Sequence, residues 1–395
     1  MIRSLKVVAL KYADRLDQIQ PFRVMKLLAR ANELQALGRP IVHMEVGEPD
    51  FPTPQVILDA GRRAISSGLT KYTPAQGIPE LRRAISTFYQ TQYNADIPSE
   101  RIFITAGGSA ALLMATALTM NVGEGLLMSD PGYPCNRHFL TTLGAHAELV
   151  PVSADTGYQL NRALIANNWR KTSRGVLLAS PSNPTGSVIS RAGMVDIADE
   201  VSSRQGHLIV DEIYHGLDYS DEKLHSVVEI SDHCIVVNSF SKYFGMTGWR
   251  LGWMVVPEFA INGVEKLAQN LFICPSSIAQ YAALAAFSEE GRAEMDRNRS
   301  AFKQRRDYLL AALKALGFGI PIEPSGAFYI YARLPEGSAN SEAFCHDLLE
   351  RYSVAVTPGT DFGHFDADHY VRFSYAQDIE LLRQGVKQLK QALTT

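Results

Sequence analysis

The 395-residue sequence has only four cysteines, and their spacing argues against a zinc site and against a disulfide framework. The four cysteines, Cys135, Cys234, Cys274 and Cys345, are far apart and form no Cys-x-x-Cys pair. Such spacing indicates neither a zinc site nor a disulfide framework, so we expect reduced thiols and no bound metal. The sequence also has no internal repeat and no low-complexity segment, which argues against a repeat array.

The sequence lacks a long apolar run and an excess of charge of one sign. No apolar stretch approaches the roughly 18 residues that a membrane span needs. The first ten residues include Arg3 and Lys6 and do not fit a signal peptide, so we predict a helix or arm there. Lysine and arginine total 38 against 41 acidic residues, a formal net charge of −3. We therefore expect a cytoplasmic protein that binds neither membranes nor nucleic acid.

Strand-like and helix-like segments alternate in the middle of the chain. Candidate strands lie at residues 102–105, 126–129, 147–152, 175–180, 207–211 and 234–238. Between two of them, apolar residues recur at helical spacing over residues 190–203, with Ser190 as a candidate N-cap. This alternation is typical of a mainly parallel sheet with helices on both faces. In such sheets, ligands bind beyond the carboxyl ends of the strands.

The pattern changes after about residue 290. A charged helical stretch over 291–316 leads to short strands around 328–330 and 371–373. A further helix, at 341–352, separates these strands. Segregated short strands and helices of this kind indicate a smaller α+β domain.

Lys242 is the most informative single residue of the sequence. An apolar segment, residues 235–237, precedes Lys242 and is followed by the hydroxyl residues Ser239 and Ser241. Arg250 lies eight residues after Lys242. A lysine amine can hold an aldehyde as an imine while a neighbouring guanidinium holds a phosphate. Because most lysines are solvated surface residues, this interpretation needs support from other positions.

Three further segments supply that support. Asp211 ends an apolar strand and is followed three residues later by Tyr214. Asn183 follows a second apolar strand, in a turn rich in proline and glycine. Arg372 lies inside an alternating strand pattern, where an arginine suits a bidentate contact with a carboxylate.

Together these segments resemble the pyridoxal-phosphate-dependent aminotransferases of fold type I, the class I/II family that contains aspartate aminotransferase. The resemblance covers about residues 20–390. It implies an α/β fold in which residues 49–290 form a large domain around a mainly parallel, seven-stranded sheet. Residues 291–395 would form the smaller α+β domain, and residues 1–48 an N-terminal arm and part of that smaller domain.

The resemblance implies catalytic roles for Lys242, Asp211 and Tyr214. Lys242 would form a Schiff base with pyridoxal 5′-phosphate and then move the proton at the substrate Cα. Asp211 would pair with the pyridine nitrogen of the cofactor and keep it protonated. Tyr214 and Asn183 would hydrogen-bond the 3-oxygen of the cofactor ring.

The remaining contacts also follow from the resemblance. The cofactor phosphate would be bound by Gly108, Ser109, Ser239, Ser241 and Arg250, and a glycine turn before a helix suits such an anion. Tyr133 would stack on the cofactor ring, and Tyr72 would reach in from the second subunit of a homodimer. The substrate carboxylate would be bound by Arg372, Gly47 and Asn183.

The implied activity is transfer of the amino group of an L-amino acid to a 2-oxo acid, 2-oxoglutarate or pyruvate. One branch of the family recognises the distal carboxylate of aspartate with a lysine where this chain has Ser109. The predicted side-chain pocket is apolar or aromatic and consists of Ile19, Phe22, Tyr72 and Phe328. These residues favour alanine, branched or aromatic amino acids beside glutamate.

Two alternatives to an aminotransferase stay open from the sequence. The same scaffold supports other pyridoxal-phosphate enzymes, such as a C–S β-lyase or a synthase, because fold does not fix function. A domain of this fold can also belong to a transcription regulator. That second alternative needs a basic DNA-binding module, and residues 1–45 are too short and too weakly basic to supply one.

Overall fold

The computed structural model describes residues 11–220 and 224–394, so the helix or arm predicted for the first ten residues lies outside the described residues. The strands within them are β1 (Val42–His43), β2 (Ile102–Thr105), β3 (Gly125–Asp130), β4 (His146–Pro151), β5 (Ser173–Ala179), β6 (His207–Asp211), β7 (Ile235–Ser239), β8 (Gly252–Val255), β9 (Tyr329–Arg333), β10 (Val354–Ala355), β11 (Thr357–Pro358) and β12 (Tyr370–Ser374).

The α-helices of the described residues are α1 (Arg23–Ala36), α2 (Gln55–Ser66), α3 (Pro79–Tyr93), α4 (Gly108–Thr119), α5 (Cys135–Leu143), α6 (Arg162–Asn168), α7 (Arg191–Ser203), α8 (Ile261–Leu271), α9 (Ser277–Ala283), α10 (Glu289–Ala315), α11 (Ser341–Tyr352) and α12 (Ile379–Thr394). None of these helices combines the length and the apolar character that crossing a membrane requires.

A seven-stranded sheet forms the centre of the molecule, in the order β2-β8-β7-β6-β5-β3-β4. All neighbouring strands are parallel except β8, which is antiparallel to both β2 and β7. The predicted α/β fold with a mainly parallel, seven-stranded sheet is confirmed. The six candidate strands match β2 to β7 within two residues at each end, whereas β8 has no counterpart among them. The four residues of β8 come directly after the turn at Arg250, and four residues are too few to show the alternation of apolar and polar residues that marks a strand.

The residues of the central strands are apolar because helices cover both faces of the sheet. Every residue of β7 and β8 is buried. The predicted helix after Ser190 is α7, and the Ser190 side chain caps it by accepting a hydrogen bond from the Gly193 N–H at 3.1 Å. Met194, Ile197 and Val201 form the buried face of this helix.

A smaller group of strands lies outside the central sheet. Strands β11, β12 and β9 form an antiparallel sheet, and β1 pairs in parallel with β10. The pairing of β1 ties the segment around residue 42 to the C-terminal part of the chain. Helix α11 has the bounds expected from the sequence, and the predicted limit near residue 290 falls in the first turn of α10. The domain limits themselves stay a prediction.

Candidate active site

A cavity of about 620 Å³ lies where the ends of the central strands meet β12 and α1. It contains every residue predicted to bind the cofactor or the substrate carboxylate except Tyr72, which is 82% exposed. The residues that the structure brings together are Gly47, Gly108, Ser109, Tyr133, Asn183, Asp211, Tyr214, Ser239, Ser241, Lys242, Arg250 and Arg372. Their individual roles stay predictions.

Lys242 presents its amine to this cavity. Its Nζ donates a hydrogen bond to the Gly47 carbonyl at 2.6 Å and lies 5.7 Å and 5.6 Å from the ring centres of Tyr214 and Phe328. Burial disfavours the charged amine and lowers the pKa of Lys242 to about 8. The positive charges of Arg372 and Arg250 also lower this pKa. A lysine with so low a pKa is a competent nucleophile and base near neutral pH.

Asp211 ends β6 and lies deep in the cavity, with only 3% of its surface exposed. Its Oδ1 accepts one hydrogen bond, from the Ile213 N–H at 3.2 Å. Burial raises the pKa of Asp211 to about 7, although the Lys242 amine opposes that shift. A buried carboxylate with this one partner in the described part of the chain suits a ligand with a protonated nitrogen, because the ion pair replaces the solvation that the carboxylate lost on burial.

An anion-binding corner lies beside these two residues. Gly107 has φ 83° and precedes α4, whose first backbone amides lack intrahelical acceptors. A Cβ added at Gly107 would lie 2.6 Å from Nη2 of Arg250, so the glycine allows the guanidinium to approach the helix N-terminus. Ser109 and Ser239 also face the cavity. Helix amides, hydroxyl groups and a guanidinium are the groups that bind a phosphate dianion.

Asp211, Lys242 and Arg250 together form what we call the cavity floor.

Arg372 is held rigidly at the other end of the cavity and is 2% exposed. Its Nη1 donates to Oδ1 of Asn183 at 2.9 Å, and its Nη2 donates to the Glu45 carbonyl. The guanidinium lies over the rings of Tyr329 and Phe362, at 4.2 Å and 4.7 Å from their centres. Within the described part of the chain, no acceptor contacts its Nε. A bidentate carboxylate is the ligand that such an arginine binds best.

The apolar side of the cavity is formed by the first turns of α1, and the sequence predicted only its residue Phe22. It consists of Phe22, Val24, Met25 and Leu28, called the apolar wall below. Phe22 packs edge-on against Tyr133, with 6.2 Å between ring centres. The sequence shows an amphipathic helix here, but this periodicity does not reveal which cavity the helix borders.

The predicted side-chain pocket agrees with the cavity at Phe22 and disagrees at Ile19 and Phe328, while the placement of Tyr72 from a second subunit stays a prediction. Phe22 lines the cavity, whereas Ile19 and Phe328 do not. Phe328 is fully buried and packs behind the Lys242 amine, because the alternation of β9 turns Tyr329 toward the cavity instead. Tyr329 was also missed; its hydroxyl lies 2.9 Å from the Tyr214 hydroxyl.

The floor and the anion-binding corner fit pyridoxal 5′-phosphate, which needs an amine for its aldehyde, an acid for its ring nitrogen and donors for its phosphate. The donor set supports this fit: among the described residues, Asp211 accepts a single backbone hydrogen bond, and no side chain caps the helix amides beside Arg250.

Comparisons with known proteins agree with this chemistry. The model of the family described as aminotransferase class I and II matches residues 39–389. The chain is 37% identical to the (5-formylfuran-3-yl)methyl phosphate transaminase of Methanocaldococcus jannaschii, over 96% of this chain and 99% of that protein. It is also 37% identical to the valine–pyruvate aminotransferase of Mycobacterium tuberculosis, over 91% and 92% of the two chains.

A solved structure is similar over almost the whole length. The crystal structure of an aminotransferase from Mycobacterium tuberculosis matches with a TM-score of 0.94 and 35% identity, over 97% of this chain and 99% of that chain. Sequence, fold and site chemistry therefore agree: this chain belongs to the class I and II aminotransferases, which depend on pyridoxal phosphate.

Proposed function

We propose that this aminotransferase takes the amino group from an apolar or aromatic L-amino acid and passes it to 2-oxoglutarate or pyruvate. The observation that carries the proposal is the apolar wall, which lines the same cavity as Arg372. Among the described residues that line the cavity, the basic ones are Lys242, Arg250 and Arg372. With the cofactor assigned to the first two, one chain offers a partner for only one substrate carboxylate, which favours pyruvate over 2-oxoglutarate as the acceptor. The name of the similar valine–pyruvate aminotransferase supports an apolar substrate.

Each residue of the floor has a defined task in this proposal. Pyridoxal phosphate, when bound, supplies an aldehyde that condenses with amines and a ring that accepts the electron pair left at the substrate Cα. Lys242 would anchor the cofactor and then, as a free amine with a pKa near 8, accept and return the Cα proton. Asp211 would hold the ring nitrogen in its protonated form, while Arg250 and Ser109 would hold the phosphate.

The substrate would be oriented at its carboxylate. Arg372, which lines the cavity, would bind the carboxylate, and Asn183 would keep the guanidinium in position through the 2.9 Å contact. The side chain of the substrate would then lie against the apolar wall. Contact with that wall removes apolar surface from water, which favours leucine or phenylalanine over aspartate.

We also propose a homodimer in the cytoplasm. Tyr72, Leu271 and Ile273 are 82%, 52% and 57% exposed, and exposed apolar side chains that lie together are typical of a protein interface. The hydroxyl of Ser277 donates to the Lys71 carbonyl at 2.6 Å, so the segment with Tyr72 lies beside the start of α9. A second copy that covers this surface would bring Tyr72 toward the cofactor of its partner.

The proposed location in the cytoplasm is supported by the four unpaired cysteines, which favour a reducing compartment.

A half-reaction screen tests the proposed substrate class. Purified enzyme loaded with pyridoxal phosphate is mixed with leucine, phenylalanine, alanine or aspartate, and conversion of the cofactor band to its amine form is followed by absorbance. Addition of 2-oxoglutarate or pyruvate should restore the band. We expect leucine and phenylalanine to react at least about tenfold more efficiently than aspartate. Equal or faster conversion with aspartate would contradict the proposed substrate class.

A further inference from the structure

The N-terminus of α1 is capped by a residue from the far end of the chain. Phe22 occupies the N-cap position and has no side-chain oxygen to offer. Instead, Oδ1 of Asp361 accepts a hydrogen bond from the Arg23 N–H at 3.1 Å, and Oδ2 accepts one from the Val24 N–H at 3.3 Å. These are two of the four amides that a helix leaves without partners at its N-terminus. A carboxylate at this position also interacts favourably with the helix dipole.

Asp361 is buried, with 3% of its surface exposed, and its chain neighbour contacts the carboxylate-binding end of the cavity. The ring of Phe362 lies 4.7 Å from the guanidinium of Arg372. Two consecutive residues therefore contact the helix that carries the apolar wall and the arginine that binds the substrate carboxylate. One short segment of chain therefore links those two recognition elements.

Other contacts hold the start of α1 less firmly. The Arg23 side chain contacts Glu342 and donates to Oγ1 of Thr360 at 2.9 Å. The side chains of Arg23 and Glu342 are 46% and 54% exposed, and exposed ion pairs of this kind contribute little. Met25 is itself 55% exposed, so solvent reaches the apolar wall from outside. The buried contact at Asp361 is thus the firmest of these attachments to the first turn of α1.

We propose that Asp361 is a positioning residue for substrate selection: by capping α1 it holds the apolar wall at a fixed distance from Arg372, which favours amino acids with large apolar side chains. The inference rests on the proposed function, in which that wall receives the substrate side chain. Asp361 does not line the cavity and touches no reacting atom. Its effect is expected in the binding of large substrates and not in proton transfer.

The test compares leucine with alanine in the loaded enzyme, for Asp361→Ala, Asp361→Asn and Arg23→Ala. In Asp361→Ala, KM for leucine should rise about five- to tenfold more than KM for alanine, the loss expected for one helix cap, while kcat stays within about threefold. Asp361→Asn keeps an oxygen that can accept from a helix amide, so it should restore most of the preference. Arg23→Ala removes only the exposed pair and keeps the backbone N–H, so its preference should match the unmodified enzyme.

Two results would overturn the inference. If Asp361→Ala weakens leucine and alanine equally, Asp361 does not act through the apolar wall. If Asp361→Asn behaves like Asp361→Ala, the charge beside Arg372 matters and the cap does not. The thermal midpoint and the cofactor absorbance band show whether each variant is folded and loaded. An unmodified enzyme that prefers aspartate would instead contradict the proposed function, before any variant is measured.

A second pair of variants keeps the test decisive if Asp361→Ala does not fold. Proline is well accepted at the first position of a helix, so Arg23→Pro removes one of the two capping N–H groups without changing Asp361. Phe22 already has an extended backbone, with φ −69° and ψ 107°, which a following proline permits. A loss of leucine preference in Arg23→Pro but not in Arg23→Ala would support the inference, and identical preferences in the two variants would overturn it.

Discussion

The two sides of the substrate cavity are built in different ways. The floor comes from the ends of β6 and β7 and the turn before β8, so its charges are fixed to the most buried part of the central sheet. The apolar wall belongs to α1, which attaches at its start through the remote carboxylate of Asp361. Residues proposed for the reaction therefore lie on the central sheet, whereas residues proposed to select the substrate side chain lie on α1. Changes in the floor should affect every substrate, and changes in the wall should alter preference alone.

The largest effect on turnover should come from Asp211→Asn in the floor. The amide cannot hold a protonated ring nitrogen, so kcat should fall by about 10²–10³-fold, the loss seen when a directed electrostatic contact is removed. The loss should be equal for leucine and alanine because Asp211 does not contact the wall. Stopped-flow half-reactions with both amino acids measure it. A loss confined to leucine would break the separation between floor and wall.

The same variant should stabilise the chain when no cofactor is bound. Burial raises the pKa of Asp211 to about 7, above the ordinary value of 3.8. Between these pH values the folded state binds a proton that the unfolded state has lost, so the stability of the unmodified chain falls as pH rises through this window. Asparagine has no carboxyl group to ionise, so the variant avoids the free-energy cost of a buried negative charge in the folded state. Above pH 7, Asp211→Asn should raise the free energy of unfolding by on the order of 3 kcal/mol.

Urea unfolding of both cofactor-free proteins at pH 5 and pH 8 checks this expectation. The advantage of Asp211→Asn should be larger at pH 8. An advantage that is absent at pH 8, or larger at pH 5, would show that Asp211 is not held in a desolvated state by the fold.

Arg372→Leu should weaken all amino acids alike. Loss of a buried, hydrogen-bonded charge partner costs about 2–5 kcal/mol, so kcat/KM should fall by about 30- to 5 × 10³-fold for every substrate. The matched control is Arg333→Leu, because Arg333 lies in β9, the strand next to β12, but is exposed. That control should stay near the unmodified values. A defect in Arg372→Leu that depends on the substrate side chain would place this arginine at the wrong end of the substrate.

The smallest effect, and the most selective one, should come from the apolar wall. Leu28→Ala removes part of the surface that faces the cavity, so kcat/KM for leucine and phenylalanine should fall about 5- to 30-fold while alanine is little changed. Leu27→Ala is the matched control, because Leu27 packs against the core beside Ala31 and does not line the cavity. Equal preference changes in Leu28→Ala and Leu27→Ala would contradict the assignment of the wall.

Asp211 and Lys242 of the floor could be predicted from the sequence because each lies at or just after the end of an apolar strand, and Arg250 because it follows Lys242 after a glycine-containing turn. Strand ends that share one edge of a parallel sheet converge, so local patterns around Asp211 and Lys242 sufficed. The apolar wall could not be predicted in this way. The contact between Arg23 and Asp361 joins residues 338 positions apart, and nothing in the local sequence of either signals it. Phe328 was misassigned because the strand pattern does not state which face of β9 the cavity occupies.

The central claim is that the amine of Lys242 anchors the cofactor at the cavity floor. Borohydride reduction of the loaded enzyme, followed by proteolysis and mass mapping, tests it most directly. We predict that the peptide containing Lys242 carries the reduced phosphopyridoxyl group and that Lys242→Ala enzyme treated in the same way carries none. An unmodified Lys242 peptide, or a label on another lysine, would contradict the account.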